Sequence, residues 1–266
     1  MSKPAKRCVY CGSTGVTKEH LWGKWTARHL PRRSTGSSQW VSRVIDLSDH
    51  HLLQHGEGRM TRPGDPRSQQ LRIVCAKCNN GWMRSNNEAA APLLVRLGNG
   101  NWTDLTVEER GNLATWATMF AMSHEFGDPE TVAVSPEERS ALRKFQIPPD
   151  GWSIWIASYE GERWYDAVHH SSYGIYSKTE PIGRANSQLT TFTFGKLLLV
   201  VHSSRASKPF DFEILADAAD LQRLWPLTDQ AIRAPAALDD ETVDEFAWGF
   251  DAFILGMLMN TSHVDQ

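Results

Sequence analysis

The chain has 266 residues, 41% of them hydrophobic, with 28 Lys and Arg against 31 Asp and Glu. That length is too great for a bare zinc module and suits one large domain or two small ones, with a core beyond the cysteines. The formal charge of −3 conceals an asymmetry: residues 1–88 hold 15 Lys and Arg against 6 Asp and Glu, whereas the remainder holds 13 against 25. A basic portion beside an acidic one predicts a polyanion-facing half and a half that faces something else.

Residues 1–7 are polar and basic, unlike a signal peptide, which leads to the expectation of a cytoplasmic protein with reduced thiols. The most apolar run, residues 253–259, is far shorter than the roughly 20 residues a membrane span needs, so no membrane partner is expected.

All four cysteines fall in two C-x2-C pairs, Cys8 with Cys11 and Cys75 with Cys78. Two short chelating turns with no cysteine left over predict a structural zinc site of four thiolates. The alternatives are reduced thiols at chance spacing and a redox dithiol. Between the pairs, a short strand at 15–18 delivers Glu19 and His20, and Leu21, Trp22 and Trp25 begin an amphipathic turn. Residues 31–38 form a basic Gly- and Ser-rich loop, 39–47 a strand, and 48–67 a long loop rich in Gly, Pro and Asp. A strand at 70–74 runs into Cys75, and a helix follows from Asn79 to about Leu97, with Pro92 as its kink or break. Residues 98–103 read as a boundary, giving a zinc-binding domain at 1–98 and an accessory domain at 99–266.

In the second half, Thr106 with Glu109 and Ser135 with Glu138 are capping boxes that open two helices, the first with a stripe of Leu113, Trp116, Ala117, Phe120 and Ala121. Residues 152–158, 163–169, 173–177 and 189–202 are rich in aromatic and β-branched residues and read as strands, with a tight hairpin at Phe194-Gly195-Lys196-Leu197. A short helix is expected at 217–225. A last helix starts near Asp240, with the stripe Val243, Phe246, Ala247, Phe250, Ile254, Met257 and Leu258. His124, His169, His170 and His202 lack a partnered carboxylate or thiol spacing and read as surface or satisfied histidines. The fold class predicted is α+β: a zinc-stapled strand–strand–helix unit followed by a mixed helix and antiparallel-sheet unit.

The order C-x2-C, acidic residue plus His, then C-x2-C-N resembles the HNH endonuclease family, the zinc-containing branch of the ββα-metal nucleases, over about residues 8–88. The resemblance implies that His20 is a general base, that Glu19 and Asn79 bind a catalytic divalent ion, Mg²⁺ or Mn²⁺, and that Cys8, Cys11, Cys75 and Cys78 hold zinc. The residue chemistry agrees. Phosphodiester hydrolysis needs an activated water and a hard cation, and neutral His and oxygen ligands supply and hold these. Adjacent side chains at a strand end normally diverge, which would set Glu19 and His20 on two sides of a phosphate.

The sequence departs from the family pattern in three ways. Glu19 stands where Asp is usual, Gln70 stands where the middle Asn is expected, and the long connection before Cys75 contains a rival pair at Asp49-His50-His51. Asn79 would also suit a helix N-cap. The expected activity is endonucleolytic cleavage of DNA, with RNA the lesser candidate. The rival reading is a non-catalytic nucleic-acid-binding or scaffold protein, and the second half is a candidate surface for self-association or a protein partner.

Overall fold

Two antiparallel strands far apart in the chain, β1 (Val16–His20) and β5 (Gln70–Cys75), pair with Val16 opposite Cys75 and His20 opposite Gln70. The register shifts between Thr17 and Glu19, a bulge of the kind that re-aims the side chains after it. β5 leads into a helical turn, α1 (Ala76–Cys78), then a π-helical turn (Asn79–Met83) and the long helix α2 (Arg84–Gly98). The irregularity sits at Gly81, whose backbone leaves the helical region at φ −96° and ψ −116°. The helix does not break at Pro92, and α2 continues through it. Pro92 and Glu88 both lie on the exposed face, so the missing hydrogen bond falls on the solvent side.

The structure is a computed structural model and describes residues 6–29, 37–46, 51–53, 60–63, 68–176, 183–207, 212–229 and 231–248. Its remaining elements are β2 (Ser37–Asp46), β3 (His51–Leu53), β4 (Met60–Pro63), α3 (Val107–His124), α4 (Pro136–Phe145), β6 (Trp152–Tyr159), β7 (Val168–Tyr176), β8 (Ser187–Phe194), β9 (Leu197–Ser204), α5 (Glu213–Ala218), β10 (Gln222–Trp225), β11 (Ala237–Leu238) and α6 (Asp240–Trp248). Among the described residues, nine strands make one large sheet in the order β10-β6-β9-β8-β7-β2-β3, with β11 beside β6 and β4 beside β2. The molecule is thus α+β. The expected hairpin joins β8 to β9, with Gly195 at φ 59° in a two-residue turn.

Alternation along β9 explains the layering. Leu197, Leu199 and Val201 pack into one core cluster with residues of α2 and α3, and Leu198 and Val200 into another with Phe212, Ala216 and Val243. Helices therefore cover both faces of the sheet, and β8 and β9 are buried along almost their whole length. Both predicted capping boxes close: Glu109 accepts from the Thr106 amide at 2.9 Å, and Glu138 accepts from the Ser135 amide at 2.8 Å.

Three expectations change. The loop at 48–67 contains β3 and β4, both paired with β2. Of the strand expected at 163–169 only Val168 and His169 are extended, residues 163–166 forming turns, and they run on into the stretch expected at 173–177 as one strand, β7, because the polar residues between are hydrogen-bonded inside the sheet instead of ending it. The helix at 217–225 is α5 followed by β10: Asp220 turns the backbone to φ 52°, and the aromatic stretch after it pairs with β6. Of the two readings for His124, His169, His170 and His202, surface or satisfied, burial of all four leaves the second. His170 bonds through Nδ1 to Thr190 Oγ1 at 2.7 Å and through Nε2 to the Thr131 carbonyl at 3.2 Å, and burial lowers its imidazole to about 4.

Residues 31–36, His50 and the stripe beyond Trp248 lie outside the described residues, and of His51 only the backbone is described. Across the turn after Gly98 the apolar packing is continuous. Cys8, Tyr10 and Trp22 share one cluster with Trp116, Phe120, Phe192 and Phe194, and β2 runs parallel to β7 in the large sheet. Among the described residues no helix is long and apolar enough to cross a membrane.

Candidate metal centre and adjoining site

The first cysteine pair sits on a tight turn tied to β5. The Cys8 amide donates to the Ser13 carbonyl at 2.8 Å, the Gly12 amide to the Cys8 carbonyl at 2.8 Å, and the Val9 amide to the Ile73 carbonyl at 2.9 Å. Gly12 at φ 71° supplies the left-handed position that turns the chain back after Cys11. Cys75 closes β5 and Cys78 follows one helical turn later, so the second pair meets the first. Tyr10, between Cys8 and Cys11, anchors the turn to α3. Its hydroxyl donates to the Met119 carbonyl at 3.2 Å and shares a 2.9 Å hydrogen bond with Ser123, and its ring lies edge-on to Trp82 at 5.0 Å.

All four sulfurs lie within 4.8 Å of one another, with Cys11 and Cys75 at 3.6 Å. A tetrahedral ion with about 2.3 Å metal–sulfur bonds sets its sulfurs about 3.8 Å apart, so the cluster has the spacing for a metal such as zinc. Electrostatics favour a cation there. Burial opposes ionisation of Cys11, but hydrogen bonds from Ser13, Cys8 and Cys75 outweigh it and bring the thiol down to about 6. Burial raises Cys8, and burial with the neighbouring thiols raises Cys78 well above an ordinary thiol. Ionising one sulfur thus holds protons on its neighbours, and a divalent cation removes that conflict.

Glu19 and Asn79 come together as the resemblance implied. The Asn79 side chain is hydrogen-bonded to the Glu19 carboxylate. Burial raises the Glu19 carboxyl above its ordinary value, opposed by that bond and by the Lys24 charge. Asn79 does not take the N-cap alternative: its backbone is helical at φ −60° and ψ −54°, and the N-cap positions of the two turns it adjoins are Cys75 and Cys78. His20, at the end of β1, has Nε2 2.7 Å from the Gln70 side-chain amide nitrogen across the strand pair. With that amide as donor, the ring accepts at Nε2 and carries its proton on Nδ1. Turned by 180°, the amide would accept from Nε2–H and leave Nδ1 basic. Glu19 and His20 meet different partners, Asn79 and Gln70. After the bulge both line one small cavity of about 30 Å³, room for a single water-sized ligand, together with Asn87 and Trp116.

Two neighbours carried no sequence signal. Asn87 accepts from the Trp116 indole N–H at 2.9 Å, locking α2 to α3 beside this cavity. Lys24, four residues after His20, supplies the cation that acts on Glu19. Only the adjacency of a basic residue to the acid–His pair could have pointed to it. The chain matches no family model, no curated protein and no solved structure.

Proposed function

We propose that the protein is a zinc-stabilised, divalent-metal-dependent endonuclease of the HNH type that hydrolyses phosphodiester bonds in DNA. The observation that carries this reading is the Glu19–Asn79 hydrogen bond formed beside His20, three groups brought together from strand and helix next to a four-cysteine cluster. Oxygen ligands from Glu19 and Asn79 suit a hard cation, Mg²⁺ or Mn²⁺, which when bound would stabilise charge on the phosphate. His20 takes the proton of the attacking water at the ring nitrogen not engaged by Gln70, and Gln70 fixes the ring plane. The four thiolates hold zinc and fix where β5 ends and the helical segment begins.

The test is cleavage of plasmid and single-stranded DNA with Mg²⁺ or Mn²⁺. His20→Ala should lower the rate by about 10²-fold or more, the usual contribution of a positioned base, with zinc content and DNA binding unchanged. Asn79→Ala should raise the divalent-ion concentration needed for half-maximal rate. Substitutions at His50 and His51 are the control, and loss of activity only there would move the base out of β1. The amide nitrogen placed on His20 Nε2 favours a second reading, a non-catalytic nucleic-acid-binding protein. Wild-type protein that binds DNA or RNA but cuts neither with either ion would establish it.

A further inference from the structure

Asn79 faces two spaces: the Glu19 contact and a groove of about 970 Å³ between the 3-10 turn at Lys24–Arg28 and the outer side of α2. Resting on the nuclease reading above, we propose that this groove seats an unpaired nucleotide of the strand presented to Glu19, His20 and Asn79, with its base stacked on the Trp25 indole. The substrate at the cut is then single-stranded or locally opened, not intact duplex.

The lining carries this inference. The apolar part of the wall is Trp25 with Ala91, Pro92 and Val95. A duplex presents phosphates outward and hides the faces of its bases in stacking, so an indole and aliphatic wall gains nothing from it. An unpaired base has an apolar face to bury. The volume lies at the upper end of ligand-sized sites, room for a nucleotide or two, where a phosphate contact alone needs no concavity.

The platform is held from behind. Trp25 packs on Phe194 at 5.8 Å between ring centroids, and Gly23 makes room for it, since a Cβ there would stand 2.5 Å from the indole nitrogen. The rim is cationic. Glu88, the one acidic side chain among the described lining residues, is bonded to Arg84 at 2.7 Å, which leaves the Lys24 charge to meet phosphate. Lys24 also acts on Glu19, so the same cation borders the groove and the site. Asn80 offers donors and an acceptor for a base edge.

The test uses the full-length protein without added divalent ion, so that binding is read apart from cleavage, with labelled oligothymidylate and a DNA hairpin duplex as anisotropy probes. Oligothymidylate should bind about tenfold or more tighter than the duplex. Trp25→Ala should remove about tenfold of that affinity and Trp25→Phe little of it, as expected for base–aromatic stacking. Val95→Trp fills the groove from a half-buried helix position and should weaken the single strand in the same way, which keeps the test sound if Trp25→Ala fails to fold. Equal binding of both probes with Trp25→Ala and Val95→Trp unchanged overturns the inference and gives the groove to another occupant. Duplex cleavage at wild-type rate by Trp25→Ala overturns it while leaving the nuclease reading intact. A protein that never cuts yet binds single strands through Trp25 retains the strand-binding groove and loses the nuclease reading.

Discussion

At His20 a single amide decides which ring nitrogen is basic. Gln70 meets Nε2 at 2.7 Å, and its two orientations hold the ring in opposite tautomers. A carboxylate at the same place can only accept, so Gln70→Glu should fix the proton on Nε2 and leave the lone pair on Nδ1. Gln70→Leu leaves the ring unoriented. We expect Gln70→Leu to lower cleavage by about tenfold or more, Gln70→Glu to retain it, and ¹⁵N shifts of the His20 ring to report Nε2–H in the Glu variant. Wild-type cleavage by Gln70→Leu would show that the amide does not position the base. The cysteines were legible in the sequence because chelation is local, two residues between ligands twice over. The Glu19–Asn79 meeting was legible only through the family resemblance, since no spacing rule joins residues 60 apart. Trp25 gave no signal beyond an amphipathic turn, because its groove is made by a helix more than sixty residues on.

Elements with a local signal stood out, and elements defined by remote partners did not. The two capping boxes and the Gly195 hairpin are written in four residues each. β7 hides because it is buried on both faces and carries His169, His170 and Ser171, which bond to one another or to Thr190 in place of alternating with solvent. β2 pairs with β7 across more than a hundred residues, so its place in the large sheet leaves no trace nearby. The link between α3 and α4 was likewise invisible. Glu125, fully buried after α3, accepts from Arg139 at 2.5 Å and from the Ala133 and Val134 amides at 2.9 and 3.2 Å.

Burial raises the Glu125 carboxyl, with Arg139 the strongest opposing influence. A carboxyl whose folded value stands above its unfolded one holds its proton more tightly in the native state, so its contribution to stability is present in acid and is lost as pH rises through the folded value. Arg139→Ala should therefore cost about 3–5 kcal/mol at neutral pH, from the uncompensated buried carboxylate, and less in mild acid. Urea denaturation at the two pH values checks this. Adding Glu125→Gln to Arg139→Met should recover part of the loss, because the glutamine carbonyl still accepts from the loop amides while no charge is stranded. A cost that does not change with pH would mean the carboxyl is neutral already.

At the scale of the molecule, the cysteine cluster is built into the main core. Cys8, Cys75 and Cys78 are buried in the cluster that holds Tyr10, Trp22, Trp116, Phe120 and Phe194, and the Trp22 and Phe120 rings stand 4.6 Å apart. A separate zinc-binding domain ending at residue 98 would unfold by itself on metal removal. With packing continuous across residue 98, the effect should reach further. The Cys8–Cys11 turn carries Tyr10 onto α3, so loosening it exposes aromatic surface on both sides of the expected boundary. We expect one zinc per chain in reduced protein, and a single cooperative melting transition that chelation or Cys78→Ser lowers as a whole, followed alike by signals from the N-terminal strands and the large sheet. A fragment ending near residue 100 lacks the partners of β2 and of Trp22 and should not fold alone with metal present. Chelation that melts β1 and β5 while the large sheet keeps its original transition would instead divide the chain into two independent units. Absence of zinc from freshly prepared reduced protein would remove the metal from the cysteine cluster altogether.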